Sequence, residues 1–281
     1  MSGSVDVENK IRAFSDIGDI IGAMKAYAGL AIRKTEGIIA NIREYETNVL
    51  LSLADVISGC VVIPHAKGKG GTKGLLVAFG SSQGLCGAYN EKLADSISTL
   101  MKGGDSLYVI GRRLKSALES RSIGQEVYQE SIAGVGGIDQ AWRECISRLL
   151  ELYRNEGYYT LTLVYAAISE KRAEISVNRV LPPGICGERS DRGLNHSPLL
   201  HLEPTVVFDR LLEQLIGISL YRGFAESLRS ENWYRLRSME GATENITRHI
   251  TELESLWKYL RQEEITGEML EILGSGGFFR Q

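Results

Sequence analysis

Cysteine is scarce in this chain, and the four that occur are scattered rather than paired: Cys60, Cys86, Cys145 and Cys186. This usage predicts free thiols in a reducing compartment rather than a disulfide framework. An excess of basic residues is also missing, because the formal net charge is −3. Proteins that bind nucleic acid usually present a basic surface, so the charge balance argues against that class of partner.

Long uncharged apolar runs are missing as well. The longest uncharged segment, residues 74–90, is interrupted by glycines. A membrane-spanning helix needs about 20 apolar residues in a row. The first residues have neither a basic flank nor an apolar run, so we expect no signal peptide. The sequence therefore predicts a protein that does not insert directly into a membrane.

Apolar residues between positions 14 and 56 are spaced alternately three and four apart, as in the contact seam of a coiled coil. The stretch predicts one long helix, from about residue 5 to residue 57, that ends at Ser58 and Gly59. The predicted seam consists of Phe14, Ile17, Ile21, Met24, Ala28, Ala31, Thr35, Ile38, Ile42, Tyr45, Val49, Ser52 and Val56.

A second long helix is predicted from just after Pro204 to about Leu273, where a glycine-rich stretch ends it. Two long helices at opposite ends of a chain must bury their apolar stripes against each other or against a partner. We expect an antiparallel pair within one chain, with residues 24–38 opposite residues 236–260, and leave the exact register open. The best part of the second seam is Leu236, Met239, Thr243, Ile246, Ile250, Leu253, Trp257 and Leu260.

Between these helices the hydrophobic period changes to that of buried strands. Strands are predicted at 75–79, 106–110, 159–166 and 174–181, with a weak one at 125–129. Helices are predicted between them, near 90–101, 112–120 and 138–154. Strands that alternate with helices indicate a mostly parallel sheet, although the last two strands are predicted to form an antiparallel hairpin.

The predicted fold class is therefore α/β. A Rossmann-like domain with a mostly parallel sheet, residues 74–182, lies between two coiled-coil helices, residues 1–60 and 204–275. Such an architecture is typical of a shaft rather than of an enzyme with an active site.

The glycine-rich turn after the first strand, residues 80–87, is the main candidate for a ligand site. Backbone N–H groups at the start of a helix favour anions. The spacing, however, matches neither the dinucleotide-binding fingerprint nor the phosphate loop, and no lysine follows. We interpret it as a structural turn. Cys86 lies at a helix start, where a thiolate is favoured, but no base is evident for a nucleophile. We expect no catalytic residue, no metal site and no cofactor.

Charged residues of both signs are interleaved along one part of the second long helix. Such a pattern is typical of a solvated helix face with ion pairs four residues apart, and it also suits contacts to a surrounding protein. The residues are Arg229, Glu231, Arg235, Arg237, Glu240, Glu244 and Arg248.

Three blocks of sequence resemble the gamma subunit of rotary F-type ATP synthases. The first block runs from Ile20 to Lys25 (IIGAMK). The second is the turn residues Gly84, Leu85, Cys86 and Gly87 with Asn90. The third lies in the last helix: LYRGFAES at 220–227, ATEN at 242–245, Arg261-Gln262, Ile265-Thr266 and Glu271-Ile272. The blocks occur in the family's order, and the resemblance extends over nearly the whole chain.

The resemblance implies a central-stalk rotor subunit that couples transmembrane ion flow to ATP synthesis or hydrolysis, and that is not itself catalytic. Its implied partners are the alpha and beta subunits of the catalytic head, the epsilon subunit and the membrane c-ring. The implied location is the cytoplasmic face of a bacterial inner membrane, peripheral through the complex. The implied contacts to the catalytic ring are Met24, Lys25, Arg261, Gln262 and Thr266.

Several positions depart from the family pattern, including Gly22, Ser82-Gln83, Asn232-Trp233 and the end after Gly276. They suggest a divergent branch, for example a sodium-pumping enzyme, although this subunit does not determine the ion.

Two other hypotheses remain open from sequence. One is a small α/β nucleotide-binding enzyme that uses the turn at 80–87 and dimerises through its helices. The other is a coiled-coil scaffold without rotation. Nucleotide binding by the isolated chain would favour the enzyme, and stable homodimers would favour either of them.

Overall fold

The computed structural model describes residues 2–59, 73–156, 158–169, 172–183 and 200–276. Two compact units divide these residues. The first unit combines the two ends of the chain, residues 1–27 and 236–281, and the second contains residues 28–235. Both terminal helices are continuous: α1 spans Ser2–Gly59 and α5 spans Pro204–Gly276.

In the first unit, the start of α1 packs antiparallel against the end of α5. The Ser4 hydroxyl donates a hydrogen bond of 2.8 Å to the carboxylate of Glu264. Ile246 lies 3.8 Å from the position that a Cβ atom on Gly18 would take. The rings of Phe14 and His249 are 5.7 Å apart. The predicted seam of α5 faces α1, because Met239 is buried and its other members between 236 and 260 are half-buried.

The second unit is built on a five-stranded sheet with the order β3-β2-β1-β4-β5. The strands β1, β2, β3 and β4 are parallel to one another, and β5 pairs antiparallel with β4. The prediction of a mostly parallel sheet with a final hairpin is confirmed. The strands are β1 Gly74–Phe79, β2 Ser106–Ile110, β3 Val127–Gln129, β4 Thr160–Ser169 and β5 Arg172–Leu181.

Helices cover both faces of this sheet. Side chains on β1 alternate between the two faces, as a strand requires. Leu76 and Ala78 pack on one face with α2 and α3, while Val77 and Phe79 pack on the other with α4 and parts of α1 and α5. The three shorter helices are α2 Tyr89–Leu100, α3 Arg112–Glu119 and α4 Ile138–Glu156.

Three members of the predicted α1 seam are wrong by one residue. Ile17, Tyr45 and Ser52 are exposed, and the residue that follows each of them faces inward instead. These inward residues are Gly18, Glu46 and Leu53. At two of these positions an apolar side chain, Ile17 or Tyr45, was preferred from sequence, whereas the helix period selects a glycine and a glutamate.

The predicted antiparallel pairing within one chain is confirmed, but the stretches that face each other are not residues 24–38 and 236–260. Residues 236–260 pack against the first part of α1, as the contact between Gly18 and Ile246 shows. In the second unit, Glu36 of α1 pairs with Arg229 of α5. The predicted pairing was displaced by about two heptads, because an apolar seam repeats every seven residues and looks alike after such a slide.

The division of the chain at 1–60, 74–182 and 204–275 stays a prediction. The ends of α1 and α5 lie close to those limits, but the two compact units divide both helices.

Candidate functional site

The turn between β1 and α2 is held by close backbone packing. A Cβ atom on Gly80 would lie 2.3 Å from Cβ of Leu114, so only glycine fits there. Gly111 has a φ of 107°, and a Cβ atom on it would lie 2.7 Å from the carbonyl carbon of Gly80. The glycines at the carboxyl ends of β1 and β2 therefore let these two turns lie against each other.

Asn90 closes this turn from the first turn of α2. Its amide oxygen accepts a 3.1 Å hydrogen bond from the backbone N–H of Ser81. Its amide nitrogen donates to the Ser81 hydroxyl at 2.9 Å and to the sulfur of Cys86 at 3.5 Å. Asn90 and Ser81 are buried. The motif residues Asn90 and Cys86 therefore act together as internal supports of the turn.

Cys86 is a poor candidate for a nucleophile in this setting. Its side chain is buried, and burial raises the pKa of the thiol. A thiol that ionises less readily than usual is less reactive at neutral pH.

The motif residues Gly84, Leu85 and Gly87 line a cleft of about 340 Å³ with Arg113. Leu85 is 56% exposed and has a φ of 63°.

The crevice where an α/β domain of this kind would bind a ligand is filled by α5. Ligands in open α/β sheets bind outside the carboxyl ends of strands, where the strand order reverses. Here that point lies between β1 and β4. Ser227 of α5 donates to the carbonyl oxygen of Phe79 at the end of β1, at 3.3 Å. Ser230 donates to the carbonyl oxygen of Ala166 in β4, at 2.8 Å.

Two further contacts hold α5 in this crevice. The Tyr89 hydroxyl of α2 lies 2.7 Å from the Ser227 hydroxyl. Burial raises the pKa of Tyr89, so its hydroxyl stays protonated and able to donate. A Cβ atom on Gly223 would lie 2.6 Å from the ring of Phe79, so this glycine brings α5 into contact with the sheet. The chain's own helix thus occupies the position of a bound ligand.

The predicted partner contacts lie in the first unit, in two separate places. Arg261 is exposed and pairs with Glu264, at 3.6 Å, on its own helix. Gln262 and Thr266 are exposed on the same part of α5. This part of α5 lies beside the start of α1, where Glu264 accepts a hydrogen bond from Ser4. Met24 is 20 residues after Ser4, so it lies about 30 Å along α1 from that contact, at 1.5 Å per residue. Met24 and Lys25 are half-buried there.

The end of α5 is apolar and exposed. The side chains of Ile265, Met269, Leu270, Ile272 and Leu273 are each 46–70% exposed. Exposed apolar patches of this kind are typical of surfaces that bind another protein.

A buried set of charges in the second unit was missed from sequence. Glu226 is fully buried and accepts a 2.6 Å hydrogen bond from Arg43 of α1. Glu46 of α1, also buried, accepts from Ser219 and Arg222 of α5. The available signal was Glu46 itself, which follows Ile42 by four residues and precedes Val49 by three. That spacing places a carboxylate in the seam.

The interpretation of the charged stretch on α5 as a solvated face is wrong for three residues. Glu231 and Arg235 are buried and pair with each other, and Arg229 is mostly buried and pairs with Glu36. Burial raises the pKa of Glu231, although Arg235 opposes the shift. Arg237 and Arg248 are exposed as expected. The contact between Arg229 and Glu36 of α1 depends on how the two helices pack, which periodicity alone does not reveal.

Cys60, Cys186 and the residues after Gly276 lie outside the described part of the chain. Within that part, none of the helices combines the length and apolar character that crossing a membrane requires.

Known proteins match this chain over nearly its full length. A family model described as ATP synthase matches residues 4–276. The ATP synthase gamma chain of Heliobacterium modesticaldum is 26% identical over 296 aligned positions, which cover 98% of each chain. That of Clostridium botulinum strain Kyoto is 25% identical, with 97% of each chain covered.

Solved structures show the same fold. A chain of the Euglena gracilis mitochondrial ATP synthase (OSCP/F1/c-ring) has a TM-score of 0.65 at 16% identity, and the match covers 98% of this chain and 93% of that one. A chain of the Tetrahymena thermophila central stalk and c-ring has a TM-score of 0.57 at 19% identity, covering 79% and 99%. With the family model matched from residue 4 to residue 276, the chain belongs to the ATP synthase family that includes these gamma chains.

Proposed function

We propose that this chain is the central-stalk rotor subunit of a rotary ATP synthase, where it couples transmembrane ion flow to ATP synthesis or hydrolysis. The observation that carries the proposal is the family match over residues 4–276, which includes both terminal helices and the α/β domain. The antiparallel packing of α1 against α5 in the first unit supports it.

The chain is a non-catalytic subunit in this proposal, so it makes and breaks no bond. Its two helices carry different side chains and present different surfaces to the subunits around them. Rotation of such an asymmetric shaft changes the contacts of each catalytic subunit in turn. Each contact favours one conformational state of that subunit over the others, which couples rotation to ATP turnover.

The proposed contacts to the alpha and beta subunits are Met24, Lys25, Arg261, Gln262 and Thr266. Their support is that they match the family's motifs and that Arg261, Gln262 and Thr266 are exposed. The guanidinium of Arg261 can donate charge-assisted hydrogen bonds to carboxylates, which are stronger than neutral ones. The exposed apolar end of α5 supplies a surface that a surrounding ring would cover.

The α/β domain is proposed to contact the membrane c-ring and the epsilon subunit. Among the similar structures, one from Tetrahymena thermophila is a central stalk with its c-ring, and those from Euglena gracilis are a rotor and an OSCP/F1/c-ring assembly. The chain would then be peripheral to the membrane, on the cytoplasmic face of a bacterial inner membrane. The sodium-pumping branch stays a prediction, because this subunit does not determine the ion.

The contact role is tested by replacing Arg261 and Gln262 with alanine in the assembled complex. Surface substitutions usually change stability by less than about 0.5 kcal/mol, so the chain should fold and assemble. We expect fewer ions pumped per ATP hydrolysed. Arg248→Ala, which removes an exposed arginine from the same helix, is the matched control. Unchanged pumping and ATP turnover in the double variant would leave the rotor assignment standing but would refute these contacts.

The alternative of a small nucleotide-binding enzyme is not favoured. The helix α5 fills the crevice that such an enzyme would use, through Ser227 and Ser230. The family match also covers both terminal helices rather than the α/β domain alone.

A further inference from the structure

We propose that the segment of α5 from Ser219 to Arg235 is a torque-transmitting joint, in which buried directional bonds fix α5 to the α/β domain and to α1. The proposal rests on the rotor function proposed above. A rotor needs such a joint because torque on the α/β domain is useful only if the helices turn with it.

The sheet side of the joint consists of Gly223, Ser227 and Ser230 of α5, with Tyr89 of α2. The α5 residues are four and three positions apart, so they share one face of the helix. Their hydroxyls bond to carbonyl oxygens of β1 and β4, and Tyr89 bonds to Ser227. All four residues are buried.

The helix side of the joint consists of Ser219, Arg222, Glu226 and Arg229, on the neighbouring face of α5. These residues bond to three side chains of α1: Glu36, Arg43 and Glu46. The pairing runs antiparallel, from Glu36 with Arg229 to Glu46 with Ser219. The α5 segment is therefore bonded on two adjacent faces, to the sheet on one and to α1 on the other.

Directional bonds resist twisting in a way that apolar packing does not. Apolar contact is non-directional, so an interface made only of apolar side chains allows some rotation of one helix or sheet surface against the other. A hydrogen bond weakens steeply as its angle departs from linearity. A turn of α5 about its own axis would break the bonds of Ser227 and Ser230 together and leave buried polar groups without partners.

The contact between Gly223 and Phe79 adds a steric stop. The helix backbone lies so close to the ring that a Cβ atom would be 2.6 Å away. The Phe79 ring is itself held edge-on by Phe224, at 5.0 Å, and Tyr165, at 6.2 Å. Because close-packed interiors transmit strain rather than absorb it, this contact stiffens the joint.

The test removes two hydroxyls from the sheet side, with Tyr89→Phe and Ser230→Ala, in the complete complex. The matched control removes two hydroxyls elsewhere in the same domain, with Tyr159→Phe and Ser98→Ala, whose side chains are exposed. Rotation is stopped at the catalytic head, the alpha and beta subunits, and the angular fluctuation of a probe attached to the α/β domain is recorded. We expect the variance to increase about twofold in the joint variant, because two buried directional bonds are lost. The control should match the wild type.

A second readout is the number of ions pumped per ATP, which should fall in the joint variant. If wild-type protein fails to enter the complex, the rotor function itself is refuted. If it assembles and pumps, but the joint variant only melts at a lower temperature with unchanged fluctuation and pumping, the residues are merely structural and the joint is refuted. Should the double variant not fold, Tyr89→Phe alone keeps the ring and decides the question by the same two measurements.

Discussion

Gly223 determines how closely α5 approaches the sheet, and the contact is tight enough to predict the effect of one methyl group. A Cβ atom there would lie 2.6 Å from the Phe79 ring. We expect Gly223→Ala to lower the free energy of unfolding by about 1–3 kcal/mol, as overpacking usually does. Urea unfolding followed by circular dichroism measures the change.

Gly37 is the matched control for Gly223, because it is also a glycine inside a long helix. A Cβ atom on Gly37 would meet nothing within 4 Å. Alanine favours a helix by about 0.5–1 kcal/mol over glycine, so Gly37→Ala should raise the free energy of unfolding. Destabilisation by both variants to the same extent would contradict the steric explanation for Gly223.

Single residues also mark the limit of what the sequence could predict. The glycine-rich turn and its motif residues were recognisable, but their role as internal supports depends on Asn90 reaching Ser81. The burial of Glu231 and Arg235 was not recognisable, because alternating charges on a helix usually face solvent. Both outcomes depend on which other element packs against the helix, and a local pattern does not contain that information.

At the scale of elements, the strands were predictable and the register of the helices was not. The buried strands β1 and β2 stand out because apolar runs bounded by glycine are local signals. Helix register is a non-local property, and the apolar seam looks the same after a slide of seven residues. The charges break part of this degeneracy: a slide of one heptad would place Glu46 beside both Glu226 and Arg229, or against Leu212 and Leu215, where it has no cationic partner. Glu46 therefore meets Arg222 only in the observed register.

The register in the first unit can be measured by cross-linking. The pair Gly18→Cys and Ile246→Cys should form an intramolecular disulfide, because the Cγ2 methyl of Ile246 lies 3.8 Å from the Cβ position of residue 18, so the two side chains face each other. Cysteines that face each other at this range can reach the Cβ separation of about 4 Å that a disulfide needs. Serine replaces Cys60 and Cys186 to remove background, and mass spectrometry identifies the linked peptides. The pair Gly18→Cys and Arg261→Cys represents a register about two heptads away, in line with the predicted pairing of residues 24–38 with 236–260, and should stay unlinked. If the 18–261 pair links and the 18–246 pair does not, the two helices pair in a register about two heptads from the observed one.

At the scale of the whole molecule, the chain combines a ligand-binding type of fold with a helix that fills the ligand's place. The sheet order reverses between β1 and β4, which is where such folds bind nucleotides. The hydroxyls of Ser227 and Ser230 donate hydrogen bonds to carbonyl oxygens of β1 and β4 there. A nucleotide would have to displace α5 and leave those buried groups without partners, at a cost of about 1–3 kcal/mol each.

We therefore expect the isolated chain to bind ATP, ADP or NAD no more tightly than about 1 mM, which corresponds to about −4 kcal/mol. Titration calorimetry measures this directly. The cleft beside Leu85 and Arg113 is the remaining place for an anion near the turn, so Arg113→Ala is the control for weak heat signals. If wild-type and Arg113→Ala chains bind equally weakly, the signal is non-specific. A micromolar site that is lost in Arg113→Ala would instead support the enzyme alternative. It would show that the cleft at this turn binds a ligand even though α5 fills the crevice between β1 and β4.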